Sequence, residues 1–219
     1  MMRYLCIDTS SGSRVALVDG DNVRRAQSDS PRAHAETLAG LIRQVAGVEG
    51  GAPLAGSFDA VVVGRGPAPY TGLRAGLVTA RTLGRAAGVP VFGVGALDLA
   101  ARCAFDEGAQ GRVLAVLDAR RKELYAAQFE AAGPNDVTLV GEVQVKLPAD
   151  LGAYYEGATL VGPAACLYEI PGTQVVTTAF DVAALARLAQ ARGDRNTDPM
   201  YLRRPDVSQP NPAKSALGK

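Results

Sequence analysis

The chain has 219 residues, a formal net charge of +1 and 21 % charged residues. That length suffices for one large domain or two small ones around a real core. The even charge balance leaves no broad basic field for nucleic-acid binding by this chain alone, and the absence of Trp argues against a base-stacking platform.

In chain order, Arg3 to Asp8 reads as a strand with Leu5 and Ile7 on one face and Asp8 at its end. A polar turn, Asp8 to Gly12, leads to a strand at Arg14 to Val18, a hairpin turn at Asp19-Gly20 and a strand at Asn22 to Ala26. Asp29, Ser30 and Pro31 open a helix from Ala33 to Ala46, whose Leu38, Leu41, Ile42 and Val45 keep the helical period. A Gly/Ala-rich connection follows, then a strand at Phe58 to Val63. Thr71 is placed as the N-cap of a helix that ends at Gly88-Val89-Pro90. A strand at Val89 to Val94 and a helix at Ala96 to Phe105 close a βββαβαβα half. The same order then repeats. Strands are expected at Arg112 to Asp118, Glu123 to Phe129 and Val137 to Val145, then a short helix at Ala149 to Tyr155. A strand at Ala158 to Val161, a helical turn after Gly162, a strand at Gln174 to Thr177 and a helix at Val182 to Ala191 complete it. The expected organisation is a first lobe over 1–107, a second over 108–204, and a disordered tail over 205–219 without apolar period.

The second predicted helix carries small residues at every fourth position: Gly72, Gly76, Ala80, Gly84 and Gly88. Glycine inside a helix costs roughly 0.5–1 kcal/mol against alanine, so this stripe implies a close approach, either of another helix or of the chain's own sheet. Leu73, Leu77 and Leu83 flank it, and Arg74, Arg81 and Arg85 fall on another side.

Chemistry is hard to place on this frame. A duplicated βββαβαβα unit is the arrangement of actin-like ATPases, built of ribonuclease H-like halves, which hold nucleotide between lobes with glycine-containing turns. Here Asp8-Thr9-Ser10-Ser11 has an acid and hydroxyls but no glycine before Gly12, and Asp118-Ala119-Arg120-Arg121 has none. Asp8, Thr9, Ser10 and Asp118 remain the candidates for a residual nucleotide site, with the two aspartates as magnesium ligands. The competing reading is that Asp8 caps its turn. Gly66 to Thr71 lacks the lysine and spacing of a phosphate loop. His34 is the single histidine and one helical turn on is Leu38, so no paired-histidine zinc site forms, and no Gly-x-Ser-x-Gly elbow exists. Neither catalytic residues, metal nor cofactor is expected. Cys6, Cys103 and Cys166 are read as buried free thiols of a reducing cytoplasm. The run Tyr4 to Ile7 is too short for a signal-peptide core, and Ala86 to Leu97 is too short and too Gly/Pro-broken to span a bilayer. A cytoplasmic protein without membrane contact is expected.

Several motifs resemble one family. They are Ile7-Asp8-Thr9-Ser10, His34-Ala35-Glu36, Gly64-Arg65-Gly66-Pro67 with Thr71-Gly72-Leu73-Arg74-Ala75-Gly76, Leu117 to Arg121 with Glu123 and Tyr125, and Pro199 with Tyr201-Leu202-Arg203. Together, over residues 5–203, they resemble the TsaB (YeaZ) family of bacterial subunits required for threonylcarbamoyladenosine at position 37 of tRNAs that read ANN codons. The resemblance implies a non-catalytic, actin-like subunit that supports a catalytic paralogue, TsaD, which carries the paired metal histidines. The ATPase TsaE completes the assembly, similar surfaces make homodimers, and tRNA is met only through the complex. The family's partner contact lies on its first two helices. Carried over, it falls on His34, Leu38 and Leu41, and on Thr71, Gly72, Arg74, Ala75, Gly76, Thr79, Ala80 and Leu83. Two other readings stay open: a nucleotide-dependent actin-like enzyme and a glycoprotease-type metallopeptidase, although nothing in these residues supports peptide hydrolysis.

Overall fold

The computed structural model describes residues 1–28, 34–155, 159–170 and 173–203, without the side chains of 34–36 and 152–154. The expected tail at 205–219 and the helix opening at Asp29 to Ala33 therefore lie outside the described residues.

The first half runs β1 (Arg3–Asp8), β2 (Ser13–Asp19), β3 (Asn22–Ser28), α1 (His34–Ala46), β4 (Ala60–Gly64), α2 (Tyr70–Ala87), β5 (Val91–Val94) and α3 (Ala96–Asp106). The second half runs β6 (Val113–Arg120), β7 (Glu123–Ala132), β8 (Asp136–Lys146), α4 (Pro148–Tyr154), β9 (Thr159–Val161), β10 (Gln174–Thr177) and α5 (Ala184–Arg192). Each half forms a five-stranded sheet, ordered β3-β2-β1-β4-β5 and β8-β7-β6-β9-β10. In both, the first three strands form an antiparallel meander and the last two join the central strand in parallel. The duplication expected from element order is thus a duplication of topology. One step differs: where the first half has the 18-residue α2, the described residues between β9 and β10 of the second form turns and no helix.

Buried strands explain the continuous apolar runs of β1, β4 and β6, since each is covered on both faces. One core lies between the two sheets, where Cys6, Val62 and Val94 of the first meet Val113, Leu117 and Tyr125 of the second across α3 and α5. The terminal helices cross over: α3 packs on β6, β7 and β8, while α5 packs on β1, β4 and β5. Arg192 of α5 pins this exchange, bonding Asp98 of α3 at 2.7 Å, Asp136 of β8 at 2.7 Å and the carbonyl of Val137 at 2.8 Å. A second core lies outside the first sheet, under α1 and α2, and a third outside the second sheet, under α4.

The helix α2 begins one residue before the expected N-cap. Pro69, with φ −57° and ψ 140°, is the capping position, and Thr71 sits exposed in the first turn with no capping bond. Proline's fixed φ preorganises the helix entry where its missing N–H costs nothing. At the other end Gly88 is left-handed, as expected, and the N–H of Val89 closes on the carbonyl of Gly84 at 3.0 Å.

The small-residue stripe of α2 faces inward. Gly72, Gly76, Ala80 and Gly84 are all buried. A Cβ on Gly76 would stand 2.5 Å from Oγ1 and 3.2 Å from Cγ2 of Thr9, and one on Gly84 would overlap Val91. The close approach that the glycines permit is to the chain's own sheet. Gly76→Ala is expected to cost about 1–3 kcal/mol in chemical denaturation through overpacking. Gly40→Ala on α1, where an added methyl meets nothing within 4 Å, should instead gain about 0.5–1 kcal/mol. Equal effects at the two sites would contradict this packing.

Candidate functional site

Two places collect the residues singled out by the sequence: the turns at the ends of β1 and β6, and the outer side of α2.

The turn after β1 is closed by its neighbours. Asp8 and Thr9 are buried, at 0 % and 3 % exposure. Oδ1 of Asp8 accepts the N–H of Ser10 at 2.8 Å and its hydroxyl at 2.5 Å. Its Oδ2 and the Oγ1 of Thr9 have no hydrogen-bond partner and are shut off from solvent. Their surroundings explain why: a Cβ on Gly64 would collide with Oδ2 of Asp8, and one on Gly76 with Oγ1 of Thr9. Backbone of β4 and α2 therefore occupies the space that a ligand of these atoms would need. The second half repeats the device, with Oδ1 of Asp118 accepting the N–H of Arg120 at 2.7 Å. Both strand-end aspartates make the same side-chain-to-backbone turn, which is a structural use of the carboxylate. Burial pushes the Asp8 carboxyl above its ordinary range, against the pull of the Ser10 hydrogen bonds and the Arg14 charge.

The turn after β6 is different in character. Arg120, Arg121 and Lys122 have φ of 64°, 54° and 63°, a left-handed run that side-chain-bearing residues adopt at a cost of about 1–3 kcal/mol each. Arg120 pairs with Glu123 across a two-residue loop, the geometry in which Asn-Gly is the ordinary choice. The turn's arginines line a cavity of about 170 Å³ between the two halves, together with Tyr70, Tyr125, Tyr201 and Arg203. Asp8, Thr9, Ser10 and Asp118 are not among its lining residues. Among the described residues no three of His, Cys, Asp and Glu gather as a metal site, and no helix is long and apolar enough to cross a membrane.

On α2 the outward residues divide into two stripes. Arg74 donates from Nε to the Tyr201 hydroxyl at 3.0 Å and lies over the Tyr70 ring, itself stacked on Tyr201 with centroids 4.5 Å apart. Arg81 holds Thr197 through its side chain at 2.9 Å and its carbonyl at 2.7 Å. These arginines bind the C-terminal segment along one flank of the helix. Beside them Thr71, Ala75, Val78 and Thr82 follow one another at helical spacing without a charge. Val78 is 63 % exposed, an uncommon position for a large apolar side chain in mid-helix.

Of the residues expected at a partner interface, Leu38, Gly72, Gly76 and Ala80 are buried within this chain. Leu41, Ala75 and Leu83 are half-buried against the core beneath α1 and α2, Thr79 is half-buried, and Thr71 and Arg74 are exposed. The side chain of His34 lies outside the described residues. Val78 was not singled out by the sequence. Its signal was there, one residue off the leucine face and in register with Thr71 and Ala75.

Two sheets of one topology with exchanged helices between them define a duplicated ribonuclease H-like protein of the actin-like class. A family model described as "TsaD: tRNA N6-adenosine threonylcarbamoyltransferase" matches residues 28–177. An uncharacterized protein of Mycobacterium tuberculosis is 36 % identical over 177 residues, covering 80 % of this chain and 78 % of its own length. The Escherichia coli "tRNA threonylcarbamoyladenosine biosynthesis protein TsaB" is 32 % identical over 130 residues, 59 % of this chain and 55 % of that protein. YeaZ from Pseudomonas aeruginosa superposes with a TM-score of 0.73 at 27 % identity, over 92 % of this chain and 100 % of its own. The chain belongs to the TsaB/YeaZ family.

The closed turn makes a pH prediction. A raised native pKa means that the folded chain holds the Asp8 proton to higher pH than the unfolded chain does. Ionising Asp8 therefore costs stability, a cost absent below about pH 4 and growing as pH rises through the native value. Asp8→Asn keeps the acceptor for Ser10 and removes the charge. Its Tm is expected above that of the parent at pH 7, with the difference shrinking toward pH 4. A variant less stable at pH 7 would show that the site favours the carboxylate.

Proposed function

We propose that this chain acts in threonylcarbamoyladenosine biosynthesis as a non-catalytic subunit. In this reading it supports threonylcarbamoyl transfer to N6 of adenosine 37, in tRNAs that read ANN codons, by binding a TsaD-like catalytic paralogue. A TsaE-like ATPase completes the assembly, the complex works in the cytoplasm, and tRNA is reached through the complex. The names of the relatives support the pathway. The observation that carries the subunit role is the uncharged stripe of Thr71, Ala75, Val78 and Thr82, with Val78 63 % exposed at its middle.

Helix-on-helix contact needs this kind of surface. Ridges of small and β-branched side chains let two helix axes come to about 8–10 Å, and an unpaired charge at the centre of such a contact is strongly unfavourable. On one flank Arg74 and Arg81 are already committed to the C-terminal segment; α1, which packs on α2, continues the surface on the other. Among the described residues the second half has no counterpart of α2, so a partner that reads this surface docks on the first half. The same stripe serves for self-association when the paralogue is absent. The buried Asp8 and Thr9 support a subunit reading over a nucleotide-dependent one, because their free oxygens abut Gly64 and Gly76.

Val78→Asp is expected to weaken association with the TsaD-like paralogue at least tenfold, about 1.4 kcal/mol, while Tm stays within a degree or two of the parent. Titration calorimetry of the two purified chains measures it. Unchanged affinity in a folded Val78→Asp variant would remove the stripe from the interface.

A further inference from the structure

The first sheet closes one of its edges and leaves the other open. Beyond β5 the C-terminal segment adds to the ladder, with the N–H of Gly93 bonded to the carbonyl of Asp194 at 3.0 Å. At the opposite edge β3 pairs with β2 alone, and among the described residues no backbone hydrogen bond joins residues 22–27 to anything beyond β2. A cavity of about 580 Å³ runs along that open edge, with walls from both faces of the sheet. Val15 and Ala26 belong to the core under α1, and Gln44 of α1 lines the cavity above them. Phe180 and Val182 belong to the core between the two sheets. The ladder closes the sheet between β2 and β3, so one cavity reaches both faces only around the free edge of β3. The slot so formed has open edge backbone for a floor, α1 for one wall and the segment before α5 for the other. That is the place of a further strand.

Charge selects the occupant. β3 carries Arg24 and Arg25 and no acid. On the inner face the cavity is lined by Arg14, which lies over the Phe180 ring, by Arg25, and by one acid, Asp181, which Arg25 already engages at 2.7 and 3.0 Å. The lining keeps an excess of positive charge. Two copies of β3 paired edge to edge would set these arginines against each other, and like charges across strands repel. Residues 205–219 of this chain hold Lys214 and Lys219 against Asp206, and their Pro205, Pro210 and Pro212 give a ladder no N–H.

We infer that the open edge of β3 takes up an extended, acidic segment of a partner protein as a further strand of the first sheet. Side chains of an added strand alternate between the two faces. Acidic ones meet Arg14 and Arg25 on the inner face, and apolar ones lie beside the small Ala26 and Val15 on the outer face. Main-chain bonds along the edge supply affinity, while the arginines set the sign and the spacing of the charges accepted. Since α1 packs on β2, β3 and α2, it stands between this edge and the Val78 stripe, so the two surfaces are separate.

Fluorescence anisotropy of the full chain with a dye-labelled peptide tests it. The probe is the capped peptide Glu-Val-Glu-Val-Glu-Val-Glu, matched in length to the 7 residues of β3. Saturable binding is expected at sub-millimolar concentration, together with added protection from amide hydrogen exchange over Asn22–Ser28. The same peptide with Lys in place of Glu should bind at least about tenfold more weakly. Arg25→Gln removes a guanidinium from the slot and Gln27→Glu adds a carboxylate to it. Each should weaken binding of the acidic peptide about fivefold or more with Tm unchanged, since both side chains are exposed. No binding of the acidic peptide at millimolar concentration would overturn the inference, as would equal binding of the lysine peptide or affinity unchanged in both variants. Binding without added protection over β3 would make the cavity a side-chain pocket and no strand site. Tighter binding of a peptide of residues 205–219 would give the slot to this chain's own sequence. Protection over β3 that grows with chain concentration and needs no peptide would give it to a second copy, and each of these three results also overturns the inference. The residues tested lie off the Thr71–Thr82 stripe, so failure here leaves the subunit reading standing.

Discussion

Backbone meets the β1–β2 turn twice with no side chain between, at Gly64 of β4 and at Gly76 of α2. Those contacts fix how close α2 lies to its sheet, and much else follows from that distance. They bury Asp8 and Thr9, leave one oxygen of each without a hydrogen bond, and place the inward stripe of the helix against β1, β4 and β5. An orphaned buried oxygen costs of order 1–3 kcal/mol. The fold carries two of them side by side in exchange for a tightly seated helix. In an actin-like frame this turn is where a phosphate would be cradled; here it is a packing surface.

With its inner side spent on the sheet, α2 presents the other side outward, and the C-terminal segment then divides that side. From Gly193 the chain runs back over the first half. The N–H of Gly93 meets the carbonyl of Asp194 at 3.0 Å, the N–H of Met200 meets that of Arg65 at 2.8 Å, and Arg74 and Arg81 hold Tyr201 and Thr197. Gly93 has to be glycine for the same reason as Gly76, since a Cβ there would overlap the carbonyl of Asn196. At Arg203 the segment meets the hairpin of the second half. One strap thus covers the edge strand β5, holds two arginines of α2 and joins the halves beside the tyrosine-lined cavity. What it leaves uncovered is the uncharged stripe centred on Val78.

Periodicity and punctuation made most of the elements legible in the sequence. The apolar runs of β1, β4 and β6, the leucine period of α1 and the Gly88-Val89-Pro90 stop each carry their own local signal, and the repeated order of elements carried the duplicated topology. Three features were not legible, each for a physical reason. Thr71 has the chemistry of an N-cap, but Pro69 already sets the entry angle, so the hydroxyl faces solvent. The glycine stripe announces close approach without saying to what, because a neighbouring sheet and a neighbouring chain make the same demand on side-chain size. The Arg120-Arg121-Lys122 turn is left-handed at three residues that favour no such conformation, so only tertiary context forces it. The family motifs named Leu38, Gly72, Gly76 and Ala80 among their contact residues, and these four are interior to this chain.

Amide hydrogen exchange of the chain, alone and with its TsaD-like paralogue, tests most directly the division of α2 into a packed side and a docking side. Added protection is expected over Tyr70–Ala87 when the paralogue is present. The Asp8–Gly12 turn should be unchanged by the paralogue, and unchanged by ATP–magnesium. Protection that appears in the turn with nucleotide, with none on α2 from the paralogue, would contradict the account and restore the turn as a ligand site.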